Sequence, residues 1–281
     1  MSLETAKTEF VEANGVRYAY RRMGLAAGTP LVFLQHFTGN MDAWDPAVVN
    51  ALAETRPVIV FNNAGVATSA GSTPDNVEQM ASNAVSFIKA LGLQQVDLLG
   101  FSLGGIIAQV IAVTSANLVR KIIMAGTAAR GGEEHLLSVV EAAFAKGASD
   151  VRLPLFFTPS KSSQAAGARF IGRALARRDD RDLESGSEVS DPQAKAIIDW
   201  CANKDEGASQ LRAIKQPTLI VHGSDDTMFP SINAYDMFKS MPDAHLILYP
   251  DAGHGALFQH PAIFVAHCRT FLDLEGSGAD L

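Results

Sequence analysis

Three short stretches of the chain contain the residue types that nucleophilic catalysis by serine requires. Ser102 is the centre of Gly-Phe-Ser-Leu-Gly at 100–104, between an apolar run and a helix-like segment. Asp226 lies in His-Gly-Ser-Asp-Asp-Thr-Met-Phe-Pro at 222–230, and His254 follows Asp-Ala-Gly. A serine hydroxyl is a poor nucleophile at neutral pH, so it needs a base that takes its proton and an acid that orients the base. Ser102, Asp226 and His254 are therefore the candidate nucleophile, acid and base.

Among the seven histidines, His254 has the surroundings that suit a catalytic base. Gly253 and Gly255 flank it, an apolar run precedes it and a helix-like segment follows. His222 ends another apolar run, and we expect it to form only local hydrogen bonds. A histidine without such surroundings is more often structural than catalytic.

The candidates follow short apolar runs that have the composition of buried strands. These runs alternate with segments of helical periodicity, which is typical of a mostly parallel α/β sheet with helices on both faces. The predicted strands are Leu31–Gln35, Val58–Asn62, Val96–Gly100, Lys121–Ala125, Thr218–His222 and His245–Tyr249. The predicted helices outside the middle of the chain are Pro74–Leu91, Ser102–Thr114 and Pro261–Leu274. Phe10–Arg22 is predicted to be a hairpin because Asn-Gly is a strong two-residue turn signal.

The segment 127–213 interrupts the alternation of strands and helices. Its pattern is helical, with predicted helices at Glu133–Lys146, Ser163–Arg178 and Pro192–Asn203. It is too long and too patterned to be a linker. The sequence therefore predicts one core domain, 1–126 and 214–281, with a helical cap inserted at 127–213. Because the cap leaves and rejoins the sheet at the carboxyl ends of strands, we expect it to cover Ser102.

The composition limits the classes of protein and partner. The chain has 281 residues, 47% of them hydrophobic and 19% charged, with a formal net charge of -7. No basic face stands out, so nucleic acid is not an expected partner. Two cysteines without close spacing predict neither a metal site nor a disulfide framework. No apolar stretch suits a secretion signal or a membrane span, so we expect a cytoplasmic protein with no membrane partner, either a monomer or a homodimer.

Three motifs together resemble those of the α/β-hydrolase fold superfamily, in particular its serine esterase-like and perhydrolase-like members with a helical cap. They are Gly-Phe-Ser-Leu-Gly-Gly, the His-Gly-x-x-Asp-x-x-x-Pro run, and Ala-Gly-His at 252–254, in that order and each after a predicted strand. The resemblance implies that Ser102 attacks, His254 transfers protons and Asp226 orients His254. The family pattern places the acid at Asp226, three residues after Gly223, rather than at Asp225. It implies no metal and no cofactor.

The resemblance also implies an oxyanion hole made of backbone N–H groups. One donor is expected from Leu103, the residue after the nucleophile. The other is expected from the loop Gln-His-Phe-Thr-Gly at 35–39, where relatives usually have His-Gly. Here either Phe37 replaces that glycine or one residue is deleted, and by position the Phe37 N–H is the candidate donor. His36 is expected to orient this loop and to border the pocket.

The candidate pocket residues are apolar side chains of the cap and of the loops that carry Asp226 and His254. They are Phe156, Phe157, Trp200, Met228, Phe229 and Leu257. For the cap residues, packing against the core is the alternative to lining an acyl or alcohol pocket. Together with Phe37 they predict a mostly apolar pocket for a small neutral substrate.

The leading functional prediction is a serine hydrolase that cleaves a small carboxylic ester or lactone through an acyl-enzyme. The same triad could instead hydrolyse carbon–carbon or amide bonds, or form peracids. A third hypothesis is a ligand receptor or regulator on the hydrolase fold, since a fold does not fix a function. Turnover that is lost on Ser102→Ala would favour an enzyme, whereas tight binding without turnover would favour a receptor.

Overall fold

A central sheet organises the computed structural model, which describes residues 1–132, 136–145, 150–205 and 207–274. Its strands are β1 (Glu9–Ala13), β2 (Val16–Gly24), β3 (Leu31–Leu34), β4 (Pro57–Phe61), β5 (Val96–Phe101), β6 (Val119–Ala125), β7 (Thr218–Gly223) and β8 (Ala244–Tyr249). They lie in the order β1-β2-β4-β3-β5-β6-β7-β8. Strand β2 is antiparallel to β1 and β4, and the pairs from β4 to β8 are parallel. The predicted α/β fold is therefore confirmed.

The first hairpin turns where the sequence predicts. Asn14 and Gly15 both have positive φ, 49° and 77°. Two residues of positive φ match the right-handed twist of the flanking strands, and Ala13 consequently pairs with Val16. This hairpin forms the antiparallel end of the sheet, away from the strands that carry the candidate site.

Helices cover both faces of the sheet. Outside the segment between β6 and β7 they are α1 (Pro46–Ala53), α2 (Val77–Ala90), α3 (Leu103–Thr114), α9 (Ser231–Ser240), α10 (Ala256–Gln259) and α11 (Pro261–Asp273). Apolar residues of α2, α3 and α9 form one buried cluster with one face of the strands. Those of α1, α10 and α11 form a second buried cluster with the other face. Successive strand residues such as Leu98 and Leu99 alternate between the two clusters because side chains of a strand alternate in direction.

The segment between β6 and β7 is helical in its described residues. It contains α4 (Leu136–Ala145), α5 (Arg152–Phe156), α6 (Lys161–Ala174), α7 (Ser187–Ala202) and α8 (Ser209–Ala213). Parts of the predicted cap, 133–135, 146–149 and 206, lie outside the described residues, as do both ends of the helix predicted at Glu133–Lys146 and the end of the core at 275–281. Helix α7 begins at Ser187 and not at Pro192, which lies inside it. The division into core and cap stays a prediction.

The described helices include none that is both long enough and apolar enough to cross a membrane.

Candidate active site

Ser102 occupies a strained turn between β5 and α3. Its φ is 55° and its ψ is -117°, a backbone conformation that is rare for residues other than glycine. The neighbouring glycines make this turn possible. A Cβ at Gly100 would lie 2.3 Å from the Gly104 carbonyl oxygen, and a Cβ at Gly104 would lie 2.0 Å from the Leu34 carbonyl oxygen. The sequence therefore fixes Ser102 at the carboxyl edge of the sheet, in a conformation that stores strain.

Asp226 and His254 meet in a buried hydrogen bond at the ends of β7 and β8. Nδ1 of His254 lies 2.8 Å from Oδ2 of Asp226. The other carboxylate oxygen accepts the backbone N–H groups of Met228, at 2.8 Å, and Phe229, at 3.0 Å. Burial by itself would raise the pKa of Asp226. The charge of His254 and hydrogen bonds from His222 and His254 outweigh burial and hold that pKa well below its usual range.

A second histidine, His222, contacts the same carboxylate. Its Nε2 lies 3.2 Å from Oδ2 of Asp226 and 2.6 Å from the carbonyl oxygen of Phe229. A carbonyl oxygen can only accept, so Nε2 carries a proton and donates. Burial lowers the pKa of His222, and the contacts with Asp226 and Phe229 more than reverse this, so that the pKa is raised. Both partners follow His222 within the same loop, so the expected local hydrogen bonding is confirmed, and one of these local partners is the candidate acid.

Ser102 and His254 line one cavity of about 660 Å³. Three further candidate residues, His36, Phe156 and Met228, also line it, as does Phe37. Both Ser102 and His254 are nearly covered, with exposures of 4% and 1%. The cavity thus has the hydroxyl of Ser102 and the imidazole of His254 on one wall.

Four candidate pocket residues lie outside the cavity wall. Phe157 packs against Phe170, with ring centroids 5.9 Å apart, and Leu257 belongs to the same buried cluster. Trp200 donates its ring N–H to the carbonyl oxygen of Ala128 at 3.3 Å. Phe229 is buried in the other cluster. These side chains pack in the two buried clusters, which for the cap residues is the alternative that the sequence analysis left open.

The cavity is also more polar than predicted. Among its lining residues are four charged side chains from the segment between β6 and β7: Asp150, Arg152, Arg181 and Glu184. Arg152 binds Asp150, with Nε 2.9 Å from Oδ1. Within the described part of the chain Arg181 forms no ion pair, and its Nη1 donates to the Ala174 carbonyl oxygen. The cavity wall therefore keeps the larger apolar share that the sequence predicts, and it adds a charged part that the sequence analysis did not anticipate.

His36 faces this cavity as a neutral imidazole. Burial, with added repulsion from Arg152 and His254, lowers the pKa of His36 to about 3. Its ring lies against those of Phe101 and Phe156, at centroid distances of 5.2 Å and 5.7 Å. Because His36 stays uncharged near neutral pH, it does not take up a proton there. His36 is therefore not a second candidate for the catalytic base.

The two candidate oxyanion donors, the N–H groups of Phe37 and Leu103, both lie at the carboxyl edge of the sheet. In the described ranges, neither the Phe37 N–H nor the Leu103 N–H forms a hydrogen bond with another protein group. Leu103 begins α3, so its N–H belongs to the first turn, where such groups lack partners within the helix. The next N–H along the loop, that of Thr38, is occupied by Oε1 of Gln193 at 2.6 Å. Phe37 and Leu103 thus keep the free N–H groups that an anion would need.

Comparisons with known proteins agree with this architecture. A family model described as alpha/beta hydrolase fold matches residues 29–261. The solved structure of an alpha/beta hydrolase fold protein from Chitinophaga pinensis is 40% identical, with a TM-score of 0.93, and the match covers 97% of this chain and 99% of that one.

More distant relatives carry specific names. The 2-hydroxy-6-oxo-6-(2'-aminophenyl)hexa-2,4-dienoic acid hydrolase of Metapseudomonas resinovorans is 24% identical over 287 residues, with 96% of this chain and 92% of the relative covered. The enol-lactonase of Burkholderia xenovorans LB400 is 20% identical, has a TM-score of 0.74 and is matched over 94% of this chain and 99% of its own. The similarity to the enol-lactonase shows the fold alone.

Proposed function

This chain belongs to the α/β hydrolase fold family, and from that premise we propose that it is a serine hydrolase that cleaves a small carboxylic ester or lactone. One observation carries the proposal. The 2.8 Å bond between His254 Nδ1 and Asp226 Oδ2 lies beside a cavity whose wall contains both His254 and Ser102. Asp226 would fix the proton of His254 on Nδ1, which leaves Nε2 free to accept the Ser102 proton.

In the first half of the reaction, Ser102 Oγ attacks the carbonyl carbon while His254 Nε2 takes the hydroxyl proton. The carbonyl oxygen becomes an oxyanion, which the N–H groups of Phe37 and Leu103 stabilise. When the tetrahedral intermediate collapses, the C–O bond to the leaving alcohol breaks and His254 returns its proton to the alcohol. The product of this step is an acyl-enzyme on Ser102.

In the second half, water takes the place of the alcohol. His254 removes a proton from the water while the water oxygen attacks the acyl carbon. On collapse the bond from the acyl carbon to Ser102 Oγ breaks, His254 returns its proton to Ser102 Oγ, and the acid is released. Water is the only co-substrate that the two half-reactions need. In a lactone the leaving alcohol is part of the same molecule, so ring opening gives a hydroxy acid.

The size and the lining of the cavity are consistent with a small substrate. A volume of about 660 Å³ suits a ligand of modest size, and Phe37, Leu155, Phe156 and Met228 provide apolar contacts for an acyl chain or ring. The name of the enol-lactonase, a structural neighbour of the same fold, is consistent with a lactone as one substrate class.

A second candidate is hydrolysis of a carbon–carbon bond in an oxo acid by the same three residues. Its supporting observation is the guanidinium of Arg181, which lines the cavity without an ion pair in the described part of the chain and could face a carboxylate. The name of the Metapseudomonas relative, a dienoic acid hydrolase, is consistent with this class. An ester panel run beside oxo-dienoic acids separates the two candidates.

The test of the proposal is the Ser102→Ala variant. We expect wild type to hydrolyse p-nitrophenyl butyrate and to be labelled by a fluorophosphonate, and Ser102→Ala to lose labelling and about 10⁴-fold or more in kcat. Ser224→Ala is the matched control, because Ser224 bonds Asp225 and lies outside the cavity wall. Labelling of Ser102→Ala, or full turnover by it, would exclude the proposed nucleophile.

A further inference from the structure

We propose that Gln193, on the segment between β6 and β7, is a positioning residue for the oxyanion hole. The inference rests on the proposed function, because it concerns the loop that carries the Phe37 N–H. It goes beyond that function by assigning to one buried cap side chain the task of holding this loop in shape. The argument depends on three features of the loop and its neighbours.

The first feature is an unfavourable turn at His36–Gly39. The Gly39 N–H donates to the His36 carbonyl oxygen at 3.0 Å, which closes a four-residue turn. The third residue of the turn, Thr38, has a φ of 57°. A turn with positive φ at its third position normally requires glycine or asparagine, and a β-branched residue there is strained. The sequence thus lacks the glycine that would make this loop stable by itself.

The second feature is that both backbone polar groups of Thr38 are bound by the segment between β6 and β7. Its N–H donates to Oε1 of Gln193 at 2.6 Å, and its carbonyl oxygen accepts the hydroxyl of Ser185 at 2.9 Å. The Gln193 contact fixes the peptide unit that follows Phe37, and the Ser185 contact fixes the next one, so that Thr38 is held on both sides. Because consecutive peptide units share one Cα, fixing the unit that follows Phe37 restricts the direction of the Phe37 N–H.

The third feature concerns the Gln193 side chain. Gln193 is completely buried, and its Nε2 has no hydrogen-bond partner among the described residues. A buried amide with an unpaired N–H group is less favourable than an apolar side chain of the same shape. Packing alone would therefore favour methionine or leucine here, whereas holding Thr38 requires the amide oxygen.

Together these features make the shape of the loop depend on contacts from Gln193 and Ser185. Thr38 keeps its positive φ because Gln193 and Ser185 hold it, and the oxyanion donor of Phe37 keeps its direction because Thr38 is held. If Gln193 loses its oxygen, the turn can relax and the donor moves away from the oxyanion. The loss should fall on transition-state stabilisation and not on ground-state binding.

The experiment is a double-mutant cycle with Gln193→Met and Thr38→Gly, read out with p-nitrophenyl butyrate. Methionine has a similar length and no strong acceptor, so we expect kcat to fall by about 30-fold, toward the loss of one oxyanion donor, with KM within about twofold. Glycine adopts positive φ without strain. With glycine at position 38, the loop no longer needs Gln193 to hold a strained turn. We therefore expect Gln193→Met to have little effect in the Thr38→Gly background, so that the double variant is within about threefold of Thr38→Gly alone.

Two results would overturn the inference: a wild-type kcat in Gln193→Met, or an equal fall in kcat whether residue 38 is threonine or glycine. The second would show that Gln193 acts through general stability and not through the turn. Ser185→Ala, which removes the other contact, provides an independent variant should Gln193→Met fold poorly, and it should lower kcat about threefold. An unchanged kcat in Ser185→Ala would count against the inference in that case.

Failure of the proposed function can be distinguished from failure of the positioning role of Gln193. If Ser102→Ala retains turnover or fluorophosphonate labelling, the nucleophile is wrong whatever the cycle gives. If Ser102 is labelled in wild type and the labelling rate is the same in Gln193→Met, only the positioning role fails, since phosphonylation also builds charge on an oxygen in the oxyanion hole.

Discussion

Asp226→Asn should nearly abolish catalysis by reversing one hydrogen bond. In the carboxylate, one oxygen accepts the N–H groups of Met228 and Phe229, and the other faces Nδ1 of His254 and Nε2 of His222. An asparagine must keep its oxygen toward the two backbone donors. Its NH₂ group then faces His254 and His222, so that donor meets donor where the wild type has donor and acceptor.

The two histidines respond differently to this change. His222 Nε2 stays protonated because it also donates to the Phe229 carbonyl oxygen at 2.6 Å. His254 can adapt only by shifting its proton from Nδ1 to Nε2, so that Nδ1 accepts from the new amide. With Nε2 protonated, His254 cannot take the proton of Ser102. The Asp226→Asn variant therefore keeps the fold of the site, but His254 no longer serves as the base for Ser102.

The magnitude follows from the known cost of this tautomer change. The same acid-to-amide substitution in a serine protease triad lowers kcat about 10⁴-fold. At about 1.36 kcal/mol per factor of ten, that is about 5 kcal/mol of transition-state stabilisation. Asp226 does not line the cavity, so KM should stay within about threefold.

The assay is steady-state hydrolysis of p-nitrophenyl butyrate, with Asp225→Asn as the matched control. Asp225 is exposed, and its side chain accepts the hydroxyl of Ser224. We expect Asp225→Asn to remain within about twofold of wild type, as surface changes usually do. A kcat for Asp226→Asn within tenfold of wild type, or an equal loss in both variants, would refute the assignment of Asp226 as the acid.

The remaining predictions concern stability and pH. Gly104→Ala should destabilise the fold by about 3 kcal/mol or more, because its Cβ would lie 2.0 Å from the Leu34 carbonyl oxygen, and an unchanged melting temperature would contradict the packing of this turn. Arg21→Met should lower the free energy of unfolding in urea by about 3 kcal/mol, because the buried carboxylate of Asp42 loses the guanidinium 2.6 Å away and keeps as its nearest cation only Arg177, whose Nε is 3.9 Å away; a loss below 1 kcal/mol would contradict this. His222→Leu should weaken the pH dependence of stability that Asp226 causes, since the carboxylate loses a hydrogen bond that lowers its pKa; an unchanged dependence in acid urea unfolding would show that His222 leaves the acid unaffected.

Acid sensitivity of the fold also follows from Asp226. Its pKa is lower in the folded protein than the ordinary value of about 3.9 in an unfolded chain. The ionised group therefore adds stability that is complete above the unfolded pKa and is lost as the pH falls through the folded pKa. In urea unfolding, the difference between wild type and Asp226→Asn should shrink as the pH falls below 4, and a difference that grows would reverse the sign assigned here.

The triad candidates could be predicted because local patterns determine their position. Ser102, Asp226 and His254 each follow an apolar run, and parallel strands bring their carboxyl ends to one edge whatever the details of the loops. The pocket wall could be predicted only in part, since His36, Phe156 and Met228 line the cavity and the other apolar candidates do not. Hydrophobicity indicates that Phe157 and Trp200 are buried, but it does not indicate whether they face a void or a neighbouring helix.

Polar contacts between distant parts of the chain were the least predictable part of the site. Gln193 meets Thr38 across 155 residues, and nothing in either local sequence specifies that pairing. A signal existed nonetheless, because Gln193 interrupts the buried stripe Val189, Ala196 and Trp200 on α7. A lone amide on the apolar side of a helix needs a partner, and the search for that partner could have started from the sequence.

The segment between β6 and β7 is bound to both proposed catalytic loops, but by contacts of unequal strength. Asp251, on the loop of His254, accepts the hydroxyls of Ser160 and Ser162 in exposed positions, where water can replace them at little cost. The Gly255 N–H, in contrast, donates at 2.9 Å to the carbonyl oxygen of the buried Phe156, and Gln193 binds the oxyanion loop from a buried position. Detaching the segment would break both of these buried contacts and release the loops that carry His254 and Phe37. We therefore expect substrates to enter and products to leave while the segment stays attached at these two points.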